Sequence, residues 1–322
     1  MTDLLSAPVL DAQLVADLVP LAARAAGLAD AARSPHTRRA YARAWSGFEQ
    51  WAGARGLVAL PATPETLALY LTDRATAVSV ATIEQELAAI VDAHRAADVA
   101  CPTDSRDLQL VWKGIRRTYG QPPVGKAPLG VLELARMVAA VGDGPSGVRD
   151  RALLLLGFAG ALRRSELVAV DVEDLVPNPD GYALQIRRSK TDAEGTGQKI
   201  GIPNGRRIET CPVRAVRAWL ALAGIERGAV FRPVTRYGAI GSERLHDRAV
   251  AEILKRAAHA IGLDASVFSG HSLRAGLATE AVRAGVSERA IMAQTRHKSV
   301  VAFRGYVRTG SLFLENPAAA LL

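Results

Sequence analysis

Residues Tyr119-Gly120-Gln121-Pro122-Pro123-Val124-Gly125-Lys126-Ala127-Pro128 divide this chain. Gly and Pro cluster there, with one basic residue and no apolar periodicity, so neither a helix nor a strand runs through. A chain of 322 residues interrupted in this way has to bury apolar surface twice, in two domains. The linker is placed at residues 121–128.

Upstream of it the apolar pattern has a helical period throughout. Ser34 can cap a helix with Pro35 in its first turn. Tyr41, Trp45, Phe48 and Trp51 then recur at i, i+4, i+7 and i+10, one stripe that faces a core and is no base-stacking platform. Thr63-Pro64 opens a second helix through Leu67, Tyr70 and Leu71. Ser79 opens a third, with Ile83, Leu87, Ile90 and Val91 inward and Gln85 and His94 on the solvent side. A fourth runs from about Ser105 to Thr118, with Leu108, Val111, Trp112 and Ile115 inside. Residues 33–120 therefore read as a compact helical bundle. Arg38, Arg39 and Arg43 lie off the aromatic stripe, and Lys113, Arg116 and Arg117 form a basic helix end. These cations are either solvated faces or phosphate contacts. Residues 1–32 carry Leu14, Leu18, Leu21 and Ala22 at helical spacing, with Pro20 interrupting or ending the pattern. They read as a docking helix or a loosely held tail.

Downstream, residues 129–322 are mostly helical with one small antiparallel sheet. A helix near 131–141 precedes a Gly/Pro turn at 142–147. Asp150-Arg151-Ala152 begins a nearly all-apolar helix through Leu153, Leu156 and Phe158, buried on most sides, followed by Leu162-Arg163-Arg164-Ser165-Glu166-Leu167. Tyr182, Leu184 and Ile186 alternate with smaller or polar residues and read as a strand; residues 198–203 read as its return partner, with Lys190 near the end of the hairpin. Further helices are expected over 209–223 and 248–261.

Bulk charge sets the class of partner. Lys and Arg number 40 against 32 Asp and Glu, a formal charge of +8 that favours a polyanion. Cys101 and Cys211 lie far apart without metal-ligand spacing, so they read as reduced thiols and no zinc site is expected. No apolar run is long enough to span a membrane, and Asp3 and Asp11 precede any basic residue, unlike a signal peptide. The expected location is cytoplasmic.

The densest chemistry lies between Phe268 and Tyr306. His271 and Arg274 are three apart and share a helix face; Tyr306 follows His297 by nine positions. A base, a cation and a hydroxyl that converge can run nucleophilic chemistry on an anionic substrate.

Arg163 after a buried helix, Lys190 on a hairpin, then His271, Arg274, His297 and Tyr306: in this order and context the chain resembles the tyrosine recombinase (phage integrase) family. The likeness covers most of the chain. Residues 161–167 match the family motif G-L-R-x-S-E-L with Ala in place of Gly; Arg163, three before Glu166, is the match and Arg164 the adjacent alternative. Gly270-His271-Ser272-Leu273-Arg274 matches the H-x-x-R motif, Lys190 the hairpin lysine, His297 the His/Trp position and Tyr306 the nucleophile. One departure stands out: Thr295-Arg296 replaces the usual Leu-Gly before the second histidine.

The resemblance implies a helical core-binding domain followed by a catalytic domain, and a site-specific recombinase that forms a 3′-phosphotyrosyl intermediate without metal, ATP or other cofactor. It implies a double-stranded recombination site with inverted repeats, a homo-tetramer on DNA, and a bacterial or phage-encoded, nucleoid-associated setting. The chemistry fits. Attack on a phosphodiester builds charge on its non-bridging oxygens, which the forks of Arg163 and Arg274 can hold. Tyr306 must lose its proton, and His271 is the candidate base, or orients the phosphate. Lys190 can protonate the leaving 5′-oxygen, His297 can donate to a phosphate oxygen, and Glu166 supports the site by pairing with a neighbour such as His271. Residues 311–314 and 318–322 are apolar enough either to dock on a second subunit or to pack on their own domain. The alternatives are a type IB topoisomerase, which relaxes one duplex instead of exchanging two, and a DNA-binding family member without catalysis.

Overall fold

The computed structural model describes residues 12–122, 125–187, 197–297, 299–300 and 303–306, with backbone alone for 12–17 and 29–31. The chain divides into two compact units, Met1–Pro123 and Val124–Leu322.

Among its described residues the first unit has helices and no strand. It holds α1 (Ala12–Ala31), α2 (Pro35–Gly53), α3 (Pro64–Ala75), α4 (Val80–Ala96) and α5 (Arg106–Tyr119). Three of these start where a hydroxyl caps the first turn. Ser34, Thr63 and Ser79 each accept from the backbone N–H three residues on, at 3.1, 3.2 and 3.2 Å. Pro35 and Pro64 follow two of the caps, where the missing N–H costs nothing. Phe48, Leu67, Leu71, Ile83 and Ile90 are fully buried, and Trp45 and Trp51 pack half-buried against them. Three residues of the aromatic stripe are thus core, while Tyr41 is half-buried beneath the Arg33 guanidinium, 5.5 Å from its ring centre.

Two expectations fail here. The first helix does not stop at Pro20 but continues through it to Ala31. A proline removes one donor and strains one turn, and the turns on both sides hold regardless. His94 is not at the surface. It is fully buried, its Nε2 accepting from Ala62 N at 2.9 Å and its Nδ1 lying 2.8 Å from Ile90 O. Since Nε2 accepts, the ring proton sits on Nδ1 and donates to Ile90.

The second unit wraps helices around α7 (Pro145–Ala159), after α6 (Val131–Ala140). Residues Ala152 to Leu156 are all buried, so α7 is enclosed on every face. It starts earlier than its apolar run because Pro145 can occupy the first turn. After α8 (Arg164–Ala169) comes a three-stranded antiparallel sheet, β1 (Leu175–Asn178), β2 (Gly181–Ile186) and β3 (Gln198–Pro203), in that order. Leu184 sits between Leu175 and Ile200 in register and seals the sheet onto the core. The sheet has one strand more than the expected hairpin. Lys190 lies outside the described residues.

Next come α9 (Pro212–Ala223), α10 (Asp247–Ala260), α11 (Ser272–Arg283) and α12 (Glu288–Thr295). Gly276 in α11 lets Leu129 come close: a Cβ there would sit 2.2 Å from Leu129 O. Leu129 N donates to Ser272 O at 3.1 Å and ties the entry of the unit to the start of α11. No helix is long and apolar enough to cross a membrane among the described residues.

Candidate active site

Four segments of the second unit converge: the turn before α8, the start of α11, the end of α12, and residues 303–306. Each side chain is held by local packing. Arg163 precedes α8, and its backbone N–H donates to Glu166 Oε2 at 2.9 Å while its Nη1 reaches Oε1 at 2.5 Å. Arg164 turns the other way and pairs with Asp247 at 3.5 Å, its side chain 49% exposed against 21% for Arg163. The pairing with Glu166 therefore singles out Arg163 as the inward arginine.

Arg274 is buried on the first inner turn of α11, with Nη1 donating to Ala161 O at 2.9 Å. Its Nη2 is buried with no hydrogen-bond partner among the described residues. An unsatisfied buried guanidinium N–H is costly, and an anion would satisfy it. Loss of water, then the positive charges of Arg163 and Arg296, push its pKa down to about 10.

His271 caps α11, and its Nε2 lies 2.6 Å from the Tyr306 hydroxyl. Tyr306 packs half-buried against a small cluster of Ala278, Ile291 and Phe303, of which Phe303 is fully enclosed. Burial holds the phenol above its ordinary pKa despite Arg274 and Arg163 nearby. The imidazole moves the opposite way: desolvation, then Arg274 and Arg163, hold it below its ordinary value. A neutral base thus faces a neutral phenol at neutral pH.

His297 completes the group, its ring centroid 5.4 Å from that of Tyr306 and 5.8 Å from that of Phe303. Its Nδ1 is 2.7 Å from Thr295 Oγ1, whose own proton goes to Ile291 O at 2.7 Å. Desolvation first, then Arg274, Arg163, His271 and Arg296, pushes its pKa down to about 4. With Thr295 donating elsewhere, Nδ1 carries the proton and Nε2 is an acceptor. The expected donation by His297 to a phosphate would need a second proton or the other tautomer, and a bound anion favours the former.

Glu166 is not paired with His271. Its carboxylate is 2% exposed and lies between Arg163 and Arg296, with Arg296 Nη2 at 2.9 Å. Burial would raise its pKa, but the Arg163 N–H, the Arg296 charge and the Arg163 guanidinium outweigh this and hold the carboxyl below its ordinary value. Arg296, noted only as a departure from a motif, is the residue that sequence reasoning missed. It caps α12 in the left-handed region, φ 57° and ψ 41°, and is buried. A non-glycine residue there costs about 1–2 kcal/mol. No group of three His, Cys, Asp or Glu able to hold a metal exists among the described residues.

The family model of the phage integrase family matches residues 129–310. The chain belongs to that family. It is a tyrosine recombinase, an enzyme that transfers DNA strands. An integrase/recombinase xerD homolog of Selenomonas ruminantium is 39% identical over 289 residues, 88% of this chain and 84% of the relative. Recombinase cre of Escherichia phage P1 is 25% identical over 296 residues, 85% and 84% of the two chains. Among solved structures, a lambda integrase dimer bound to a COC′ core site gives a TM-score of 0.61 at 19% identity, over 92% of this chain and 96% of that one. At that identity the likeness concerns the fold alone, mainly helical with a small antiparallel sheet.

Of the expected residues, Arg163, His271, Arg274, His297 and Tyr306 come together within this recombinase's second unit. Arg38, Arg39 and Arg43 on α2, and Lys113, Arg116 and Arg117 on α5, are all exposed on the first unit.

Proposed function

We propose that Tyr306 is the nucleophile of this recombinase. The observation that supports it is the 2.6 Å hydrogen bond between its hydroxyl and His271 Nε2, beside two guanidiniums. The Tyr306 oxygen attacks a backbone phosphorus, the P–O5′ bond breaks, and the enzyme is left with a 3′-phosphotyrosyl link. His271 Nε2 takes the phenol proton. Arg163 and Arg274 hold the non-bridging oxygens, and the orphaned Nη2 of Arg274 is the donor that a phosphate would satisfy. The leaving 5′-oxygen takes a proton from Lys190, by the sequence match. The bond energy stays in the phosphotyrosyl ester, so a 5′-hydroxyl from a partner strand can attack and reseal.

The rest follows from the family. The partner is a double-stranded recombination site with inverted repeats: the solved relative XerH is bound to a palindromic difH substrate. Exchange of two duplexes needs four sites, hence a homo-tetramer on DNA, in the cytoplasm of a bacterium. Residues 33–120 act as the core-binding domain, 121–128 as linker and 129–322 as catalytic domain, with Arg38, Arg39, Arg43, Lys113, Arg116 and Arg117 on backbone phosphates.

The experiment is trapping on a nicked suicide duplex. Tyr306→Phe should form no covalent adduct while binding DNA as before; adducts in that variant overturn the nucleophile. Lys190→Ala should lose less rate on a 5′-bridging phosphorothiolate, whose sulfur leaves without a proton, than on the oxygen substrate.

A further inference from the structure

Arg296 lies one step behind the reacting groups and touches the supports of both arginines. Its Nη2 donates to Ala161 O at 2.9 Å and to Glu166 Oε2 at 2.9 Å. Its Nη1 donates to Gly160 O at 3.0 Å and Gln294 O at 2.7 Å. The Ala161 carbonyl is the same one that anchors Arg274 Nη1, and Glu166 is the same carboxylate that anchors Arg163. Ala161 is itself at φ 45°, a turn that needs tying down. One planar fork thus fixes the turn before Arg163, the carboxylate that aims Arg163 and the carbonyl that aims Arg274.

The backbone argues the same way. Position 296 is left-handed and follows the last turn of α12, where glycine is the relaxed choice. An arginine there carries strain that glycine would not. Its neighbour His297 belongs to the site, so the strained turn also sets the His297 ring. The guanidinium is 2% exposed, which rules out a surface charge. Glu166 is held between Arg163 and Arg296, and His271 Nε2 meets the Tyr306 hydroxyl.

We propose that Arg296 is a positioning residue for strand cleavage, holding Arg163 and Arg274 in the geometry that receives the phosphate, through Glu166 and the Ala161 carbonyl. This rests on Tyr306 as the nucleophile. The alternative is a filler that only neutralises Glu166 and stabilises the fold.

The test compares wild type, Arg296→Gly and Arg296→Lys on a suicide duplex, reading single-turnover adduct formation, DNA Kd and thermal unfolding. Glycine relaxes the turn, so the fold is expected to persist with Kd unchanged. Cleavage should fall on the order of 10²-fold, the effect of a misplaced reacting group. Lysine keeps the charge beside Glu166 but cannot fork across the carbonyls, so its rate should fall between the two. Arg296→Gly cleaving at the wild-type rate overturns the proposal. So does a glycine variant whose Kd and unfolding temperature decline with its rate, which is the mark of a filler. Should Arg296→Gly fail to fold, Arg296→Lys decides: slower cleavage at unchanged Kd supports positioning, and an unaltered rate overturns it. A wild-type chain without Tyr306-dependent adducts overturns the nucleophile assignment and this role with it; adducts equal in all three proteins overturn this role alone.

Discussion

The Nε2 of His271 lies 2.6 Å from the hydroxyl of Tyr306, and the environment moves their pKa values apart, the imidazole down and the phenol up. Their separation has a consequence for pH. A base must be neutral to accept a proton. The His271 pKa is held below its ordinary value, so the base-competent form predominates at neutral pH. Single-turnover cleavage should rise with pH along a limb centred below the ordinary histidine value and level off above neutral pH. His271→Ala should slow cleavage by about 10²-fold or more. That variant should then climb steadily toward alkaline pH, because only ionisation of the phenol, above its usual value of about 10, replaces the base. A His271→Ala profile as flat as wild type would remove the histidine from the base role.

The same environment links acid to stability. His297 has a folded pKa of about 4, below its unfolded value of 6.5, so the unfolded chain binds more protons between the two. The contribution is complete above pH 6.5 and is lost as pH falls toward 4. Thermal unfolding of the full chain, followed from pH 7 to 4.5, should show the midpoint fall, and His297→Trp should flatten the fall, since an indole has no proton to gain.

His94 offers a test in the first unit. Two backbone groups depend on it, the N–H of Ala62 and the carbonyl of Ile90, and none of the ring meets water. His94→Leu keeps much of the volume but leaves that N–H without its partner. The expected loss is about 1–3 kcal/mol in denaturant unfolding of the first unit's signal, with cleavage chemistry in adducts that do form left unchanged. A variant as stable as wild type would mean that water or a shifted backbone replaces the ring.

How much of this was legible follows from the range of the interactions. Ser34, Thr63 and Ser79 cap their helices through contacts three residues long, and local sequence suffices. The inward turn of Arg163 is equally local, set by Glu166 three residues on. His94 was misread because helical spacing alone put it outside, whereas the 32-residue contact with Ala62 puts it inside. β1 was missed since only its first residue, Leu175, is buried, so no alternation marks it. Arg296 reaches Glu166 across 130 residues from a backbone conformation that sequence assigns to glycine, and neither fact has a local signature. Glu166 supports the site by pairing, as expected, but with Arg163 and Arg296 instead of the suggested His271, and the long-range partner has no local signature either. The order of Arg163, His271, Arg274, His297 and Tyr306 was readable because the motifs around them are short, while their convergence is a property of the packed α7, α11 and α12.

The cations of α5 give the last prediction. Lys113, mid-helix, and Arg116 and Arg117, in the last turn, are all exposed, and the Arg116 guanidinium lies 5.6 Å from the centre of the Trp112 ring. Arg106, Lys113 and Arg116 also line a surface cavity of about 280 Å³ with Trp112. A guanidinium stacked near a ring on an exposed helix suits a phosphate oxygen better than a base edge. A cation on a phosphate displaces condensed counterions, so its loss should show in the salt dependence of binding rather than in sequence preference. Lys113→Ala and Arg117→Ala should each weaken DNA binding at low salt and reduce the slope of log K against log salt concentration by about 0.9. The ratio of affinities for the recombination site and for random duplex should hardly change. An unaltered slope in both variants would return these side chains to the role of a solvated helix face.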